Sequence, residues 1–440
     1  MNVRVHHARG AVPVALDPAI PCVTEILDEN RLLEELARAF PERSFSEPTA
    51  VVDVSYTPRR ALATAFEVTE HGRPTIIGIH AHPAFAGVPD DWPTRSAADV
   101  RTLSGWGALA WEFPADPGLP ALARLVDTTA MSGVMRWLIG TTTDVITCTP
   151  LRYIAGRRAV VHITSAGHET VARHTSDAST HAEHELLMRL FADPERAFRM
   201  PEPLGYDERL QARFEVMVDG RRADELPVIG RSLPMVAVCS EIAALHRRPV
   251  DDGADTPRLG RGAILGQVMR VVQRRLSLAV PGLTRGLDGI VDGLRNTVGD
   301  LPAPHSMNLH GDLHGGNVLV DDSGPLLVGL ETPVIGDPAT DLALLGTSLY
   351  LAALQRGDSV RSVADFIEEL PAAYSSVSGT PVDGRAFTWH VAASLIGWQA
   401  DAALRVLAPH TDELVTVLAA TASAVLRDGV HSGTLTAFVD

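Results

Sequence analysis

Residues 24–40 (TEILDENRLLEELARAF) place apolar side chains at helical spacing with acidic residues early, which predicts an amphipathic helix. The period then changes. Segments 50–56 (AVVDVSY), 61–68 and 75–80 (TIIGIH) are short, rich in β-branched residues and separated by Pro, Arg or Gly turns, the pattern of a small antiparallel sheet. Residues 120–139 return to helical character. A second strand set begins near 148 (CTPLRYIAGRRAVVHITSAG) and runs through ETVARHT; a helical stretch at 180–192, a Pro-rich connection (RMPEPLGYD) and a strand at 211–218 follow. The first sheet carries a faint echo of the second: Ser55-Tyr56-Thr57-Pro58-Arg59-Arg60-Ala61 matches Arg152-Tyr153-Ile154-Ala155-Gly156-Arg157-Arg158-Ala159 with one residue inserted. From about 233 the chain is mainly helical (263–279, 283–298, 338–356, 361–374, 385–408, 412–427), interrupted near 305–336. The pattern predicts a three-part α+β protein with parts 1–145, 146–230 and 231–440.

At 440 residues, each part can bury a core of its own. No apolar run approaches the roughly 20 residues needed to cross a bilayer. The N-terminus, MNVRVHHARGAVPVALDP, lacks the charged start, long apolar stretch and cleavage site of a signal peptide, so the expected compartment is the cytoplasm. Three widely spaced cysteines (Cys22, Cys148, Cys239) without CxxC pairing argue against a disulfide framework and a zinc site. A formal net charge of −16 argues against nucleic-acid binding and is compatible with a cationic substrate or a basic partner. The chain contains no lysine; all 38 of its basic residues are arginine. No position can therefore supply a lysine ammonium.

The chemistry concentrates in NLHGDLHGGNVLVDDSGPLLVGLETPVIGDPATDLALLG. His310, Gly311, Asp312 and Asn317 form an HGDxxxxN loop at 310–317. A hydrophobic strand (VLV), a DDSG hairpin and a GDPxxDLA element (Gly336-Asp337-Pro338, then Asp341-Leu342-Ala343) come after it. This combination resembles the aminoglycoside phosphotransferase and small-molecule kinase superfamily, over roughly residues 148–430. The resemblance implies a bilobal protein-kinase-like fold, with a small antiparallel-sheet N-lobe (146–230), a mainly helical C-lobe (231–440) and an N-terminal α+β cap (1–145) in a maltokinase-like arrangement. It also implies ATP and Mg²⁺ as cofactors and a small-molecule hydroxyl as phosphate acceptor. Asp312 is then the carboxylate beside the attacking hydroxyl, Asn317 a metal ligand, and His310 a member of the catalytic loop expected to bond backbone and brace it.

Two departures from the family pattern stand out. Active relatives carry a metal-binding Asp eight residues before the Asp of GDP; here that position is Gly329, in LLVGLE, and glycine offers Mg²⁺ no side-chain oxygen. Glu331 or Asp337 is the carboxylate that could reach in; Asp337 is expected instead to cap the following helix or brace the loop, and Glu331 is named with Asn317 as the metal-ligand candidate. The family's phosphate-pairing lysine is also missing. Arg173, in Thr170-Val171-Ala172-Arg173-His174-Thr175, is the substitute, with Glu183 or Glu185 on the next helix as its acidic partner. The alternative reading is a pseudokinase, a binding or scaffolding subunit for a biosynthetic partner or a peptide. His80 with His82, and His181 with His184, are expected to be structural histidines, and Trp389 and Trp398 core residues.

Overall fold

The structure, a computed structural model, describes residues 14–15, 17–83, 100–140, 145–177, 179–226, 233–250, 256–407 and 410–439. Most of the N-terminal segment read above against a signal peptide, residues 1–13, lies outside them. The chain divides into two compact units. The first comprises Met1–Met188, Glu202–Met217 and Arg405–His410; the second comprises Arg189–Pro201, Val218–Leu404 and Thr411–Asp440.

The first unit is built on two antiparallel five-stranded sheets. One contains β1 (Phe45–Thr57), β2 (Ala61–Glu70), β3 (Arg73–Ala81), β4 (Arg101–Leu103) and β5 (Ala108–Glu112), in the order β1-β2-β3-β5-β4. The other contains β6 (Ile146–Ile154), β7 (Arg158–Ser165), β8 (His168–Thr175), β9 (Pro203–Asp207) and β10 (Ala212–Val216), in the order β6-β7-β8-β10-β9. Position for position, the two orders are the same. The short echo between 55–61 and 152–159 thus marks equivalent first hairpins in two sheets of one topology. A helix, Ser179–Ala192, separates β8 from β9, whereas no helix is described between β3 and β4.

Alternation along the strands turns one face of each sheet inward. Ala65, Leu109 and Trp111 from the first sheet and Tyr153, Val161, Ile163 and Phe214 from the second join Met131 and Met135 of the helix Thr128–Ile139 in one apolar core. A polar chain runs through this core: Trp111 Nε1 donates to Tyr153 Oη (2.8 Å), which donates to Asp116 (2.7 Å). Each buried polar group so acquires a partner. The sequence pattern missed three strands here. β4 and β5 lie in a segment that carries no alternation strong enough to read, and β9 occupies the Pro-Gly-rich stretch taken for a connection.

The second unit is mainly helical, with long helices at Met235–His246, Arg261–Val271, Thr284–Thr297, Ala339–Arg356, Arg361–Ser378, Gly384–Ser394 and Thr411–Asp428. Ala339–Arg356 is buried on nearly every side, which is why its sequence is apolar all round rather than in one stripe. Two stretches expected as continuous helices are interrupted by π-helical turns, at Val272–Leu276 and Leu395–Ala400. Six short strands, β11 (Arg221–Arg222), β12 (Arg258–Leu259), β13 (Met307–Leu309), β14 (Val318–Asp321), β15 (Gly324–Leu327) and β16 (Val334–Gly336), form two ribbons, β11-β14-β15 and β12-β16-β13. The 310–317 loop connects β13 to β14 and so links the two ribbons. Among the described residues no helix is long and apolar enough to cross a membrane.

Candidate active site

A loop that presents a reactive carboxylate must have its backbone fixed from below, and this one is. Asp341, near the start of the helix Ala339–Arg356, is fully buried and accepts the His310 and Gly311 backbone N–H groups at 2.7 and 3.1 Å. It also pairs with His246 Nε2 at 3.0 Å, and His246 Nδ1 in turn lies within hydrogen-bond distance of the Tyr374 hydroxyl, 2.8 Å. Burial alone would raise the Asp341 carboxyl; the hydrogen bond and charge of His246, with His310 beyond, outweigh it and hold the group below its ordinary range. Gly311 has φ +82°, and a Cβ there would meet the Thr332 carbonyl at 2.3 Å, so only glycine fits the turn.

His310 is buried with both ring nitrogens committed to backbone. Nε2 donates to the Val328 carbonyl (2.9 Å), and Nδ1 faces the Asp312 N–H (3.4 Å). Its place is therefore that of a brace and not of a group that meets substrate. Asp312, in contrast, has its side chain 58% exposed. Its carbonyl accepts Asn317 Nδ2–H at 2.9 Å, and the nearest basic group is His314 Nε2, 3.9 Å from Oδ2. The His314 ring is held by its Nδ1, which accepts the Gly316 N–H (3.1 Å), and burial keeps its pKa below the usual histidine value despite Asp312 and Asp224 nearby. The loop thus exposes one carboxylate on a backbone held at His310, Gly311, Gly315, Gly316 and Asn317.

Whether these residues suit Mg²⁺ turns on Asn317 and Gly329. With Nδ2 tied to the Asp312 carbonyl, the rest of the Asn317 carboxamide lies over Gly329. A Cβ built there would sit 2.7 Å from Asn317 Oδ1 and 2.8 Å from Cγ and Nδ2. Gly329 also has φ +76°, a conformation side-chain-bearing residues rarely adopt. The space a metal-binding carboxylate would enter is filled by the amide itself. Asp337 is engaged elsewhere: it accepts the Ala339 N–H (3.1 Å) and pairs with Arg261 (3.0 Å). Glu331 lies in the turn between β15 and β16, and among the described residues no three His, Cys, Asp or Glu side chains gather as a metal-ligand group. A hard, octahedral cation that favours carboxylate oxygen does not fit this donor set.

The remaining predicted residues lie in the first unit, where one face of the β6–β10 sheet carries a charge cluster. Register pairs Arg173 on β8 with Val160 on β7 and Arg213 on β10, so Arg158, Arg173, Arg213 and Glu215 share that face. The carboxylate partner of Arg173 is Glu215, at 3.0 Å, rather than Glu183 or Glu185. Glu183 instead pairs with Arg213 (3.3 Å) and accepts the Ser179 hydroxyl (2.7 Å), while exposed Glu185 lies 3.9 Å from His181. Arg213, 1% exposed, also bonds Glu215. Burial would raise Glu215, but Arg213 and Arg173 hold it low; burial, aided by neighbouring arginines, pushes Arg158 and Arg213 down to about 10. Three arginines thus face two carboxylates.

Sequence reading did not assign Asp341, His246, Arg213 or Glu215. The last two were accessible through the alternation of QARFEVMV, which puts Arg213 and Glu215 on one face. The Asp341–His246 pair, 95 residues apart, had no local signal.

A five-stranded antiparallel sheet in this order with a helix after its third strand, together with a helical unit carrying an HGDxxxxN loop braced by a buried helix aspartate, defines a protein-kinase-like fold. Residues 152–381, just over half of the chain, match the model of the phosphotransferase enzyme family, and the chain belongs to that family. Among solved structures it is similar to choline kinase from Cryptosporidium parvum Iowa II (13% identity, TM-score 0.51, covering 70% of this chain and 98% of that one). A thermostable aminoglycoside phosphotransferase mutant solved with ADP and hygromycin B aligns with 15% identity and TM-score 0.47, over 68% of this chain and 98% of that one. An aminoglycoside phosphotransferase from Streptomyces rimosus aligns with 18% identity and TM-score 0.42, over 62% and 99%. At these identities the likeness is one of fold. No curated protein sequence matches the chain.

Proposed function

We propose that the protein is an ATP-dependent phosphotransferase acting on a hydroxyl of a sugar, aminocyclitol or other small molecule. The observation that carries this reading is the exposed carboxylate of Asp312 on a loop whose surrounding backbone is pinned from inside the second unit. A carboxylate so placed can accept the acceptor's hydroxyl proton as its oxygen bonds to the γ-phosphorus; the bond from that phosphorus to the ADP oxygen breaks and its electron pair leaves with ADP. His310 and Asp341 keep Asp312 in position. The arginine excess on the β6–β10 face supplies positive charge suited to a phosphate-bearing donor, with Arg173 the residue expected to meet it. The net charge of −16 suits a cationic acceptor, and three unpaired cysteines suit a reducing compartment such as the cytoplasm.

The test is ADP release across a panel of hydroxyl acceptors by the intact protein and by Asp312→Ala. Turnover lost in the variant supports the assignment; absence of nucleotide-dependent transfer to every acceptor removes it. The Asn317–Gly329 contact favours a second reading, a pseudokinase that serves as a binding or scaffolding subunit for a biosynthetic partner or a peptide without transferring phosphate. Robust ATP turnover by the unmodified protein would sink that second reading.

A further inference from the structure

The carboxylate missing at residue 329 has left no vacancy. Asn317 fills the space: Nδ2 is held by the Asp312 carbonyl, and the amide lies against a glycine with φ +76°, where a Cβ would sit 2.7–2.8 Å from its Oδ1, Cγ and Nδ2. Val328, just before that glycine, is itself fixed, because its carbonyl accepts His310 Nε2–H and its N–H donates to the Asn317 carbonyl (3.0 Å). The cradle is therefore one hydrogen-bonded unit formed by the 310–317 loop and residues 328–329. A hard cation replacing the amide contact would meet one neutral oxygen and no carboxylate from residue 329, whereas Mg²⁺ binding normally draws on one or two carboxylates besides phosphate oxygens.

We infer that the 310–317 loop engages its phosphate-bearing ligand without a divalent cation, with Asn317 serving as a clasp on the Asp312 backbone instead of a metal ligand. The inference rests on the phosphotransferase reading of this same site and states what that site omits. Charge that a metal would neutralise must then be met by arginine, the sole basic side chain in the chain besides histidine.

Isothermal titration of the full-length protein with ATP and with ADP, each in EDTA and in excess Mg²⁺, tests this directly. Affinities equal within about threefold in the two buffers support the inference; tightening of roughly tenfold or more by Mg²⁺ overturns it. The Mn²⁺ paramagnetic-resonance signal provides a second readout that requires neither turnover nor nucleotide binding. Free-ion signal retained in full as protein is added, with and without ATP beyond what ATP itself binds, supports the inference. Stoichiometric loss of signal that is reversed in Asn317→Ala overturns it. Should no nucleotide bind in either buffer, the phosphotransferase reading falls while the Mn²⁺ titration still decides the metal question, so the two failures are distinguishable.

Discussion

Gly329→Ala isolates the contact on which the metal argument stands. Two costs are expected. Holding an L-residue at φ +76° costs about 1–2 kcal/mol. The new methyl would also lie 2.7–2.8 Å from three atoms of the Asn317 carboxamide, so that side chain must move, and its hydrogen bond to the Asp312 carbonyl, a net contribution of about 1 kcal/mol, is lost or bent. The sum is about 2–3 kcal/mol, or a Tm lowered by roughly 4–12 °C for a unit of this size. In an Asn317→Ala background all three clashing atoms are absent, and only the backbone cost of about 1–2 kcal/mol should remain. The double-mutant cycle, measured from urea midpoints at unchanged m-value, should show a coupling near 1 kcal/mol. Equal cost in both backgrounds would refute the reasoning. Gly329→Asp should be destabilised likewise and gain no Mg²⁺-dependent rise in Tm; a clear metal-dependent rise would mean that the cradle can open to receive a carboxylate, and the steric argument would fail.

Asp341→Asn removes the buried negative charge and turns one of the two oxygens that face the His310 and Gly311 N–H groups and His246 into a donor NH2, and should cost about 3–5 kcal/mol in chemical denaturation; a loss under 1 kcal/mol would show the loop is braced elsewhere. Arg213→Met leaves Glu215 and Glu183 short of a buried cation and should cost a similar 3–5 kcal/mol, partly restored by adding Glu215→Gln; additive costs would contradict the pairing. His390, buried beside Asp337 and Arg261, has its pKa pushed down to about 4 by burial. Its unfolded value lies near 6.5, so between these values the unfolded chain binds a proton the folded chain does not, and stability falls as pH drops from about 6.5 to about 4, by about 3 kcal/mol in total. Thermal unfolding of His390→Gln should show a shallower pH dependence across that window; an identical slope would remove His390 as its source.

How far the sequence could be read depended on whether a feature was local. HGDxxxxN and GDPxxDLA were legible because their spacing is dictated by turns, and Gly329 because its place is counted from Asp337 without a gap. The helices at 284–297, 339–356 and 411–428 followed from period alone. What period could not show was pairing across distance. Arg173 was matched to Glu183 or Glu185 because a helix carboxylate is the family's usual partner, yet the adjacent strand places Glu215 closer. Asn317 could be read as a ligand by spacing, but only coordinates reveal that its amide covers Gly329. The π-helical turns at Val272–Leu276 and Leu395–Ala400 left no mark in composition.

The retained and altered parts of the site separate along a physical line. His310, Asp341 and His246 are buried, Gly311 half-buried, and all are hydrogen-bonded to one another or to backbone, so replacing His310, Asp341 or His246 leaves buried donors or acceptors unpaired and unsettles the second unit itself. The residues that act on ligand charge face a different constraint, because a metal carboxylate or a phosphate-pairing lysine contributes little to folding. At the two positions where the sequence departs from the pattern the resemblance implies, the structure has a glycine under an amide and an arginine paired with Glu215. An intact HGDxxxxN loop is therefore evidence of fold first. Activity has to be argued from Asp312, the exposed carboxylate of that loop, whose removal should leave stability nearly unchanged while abolishing any transfer.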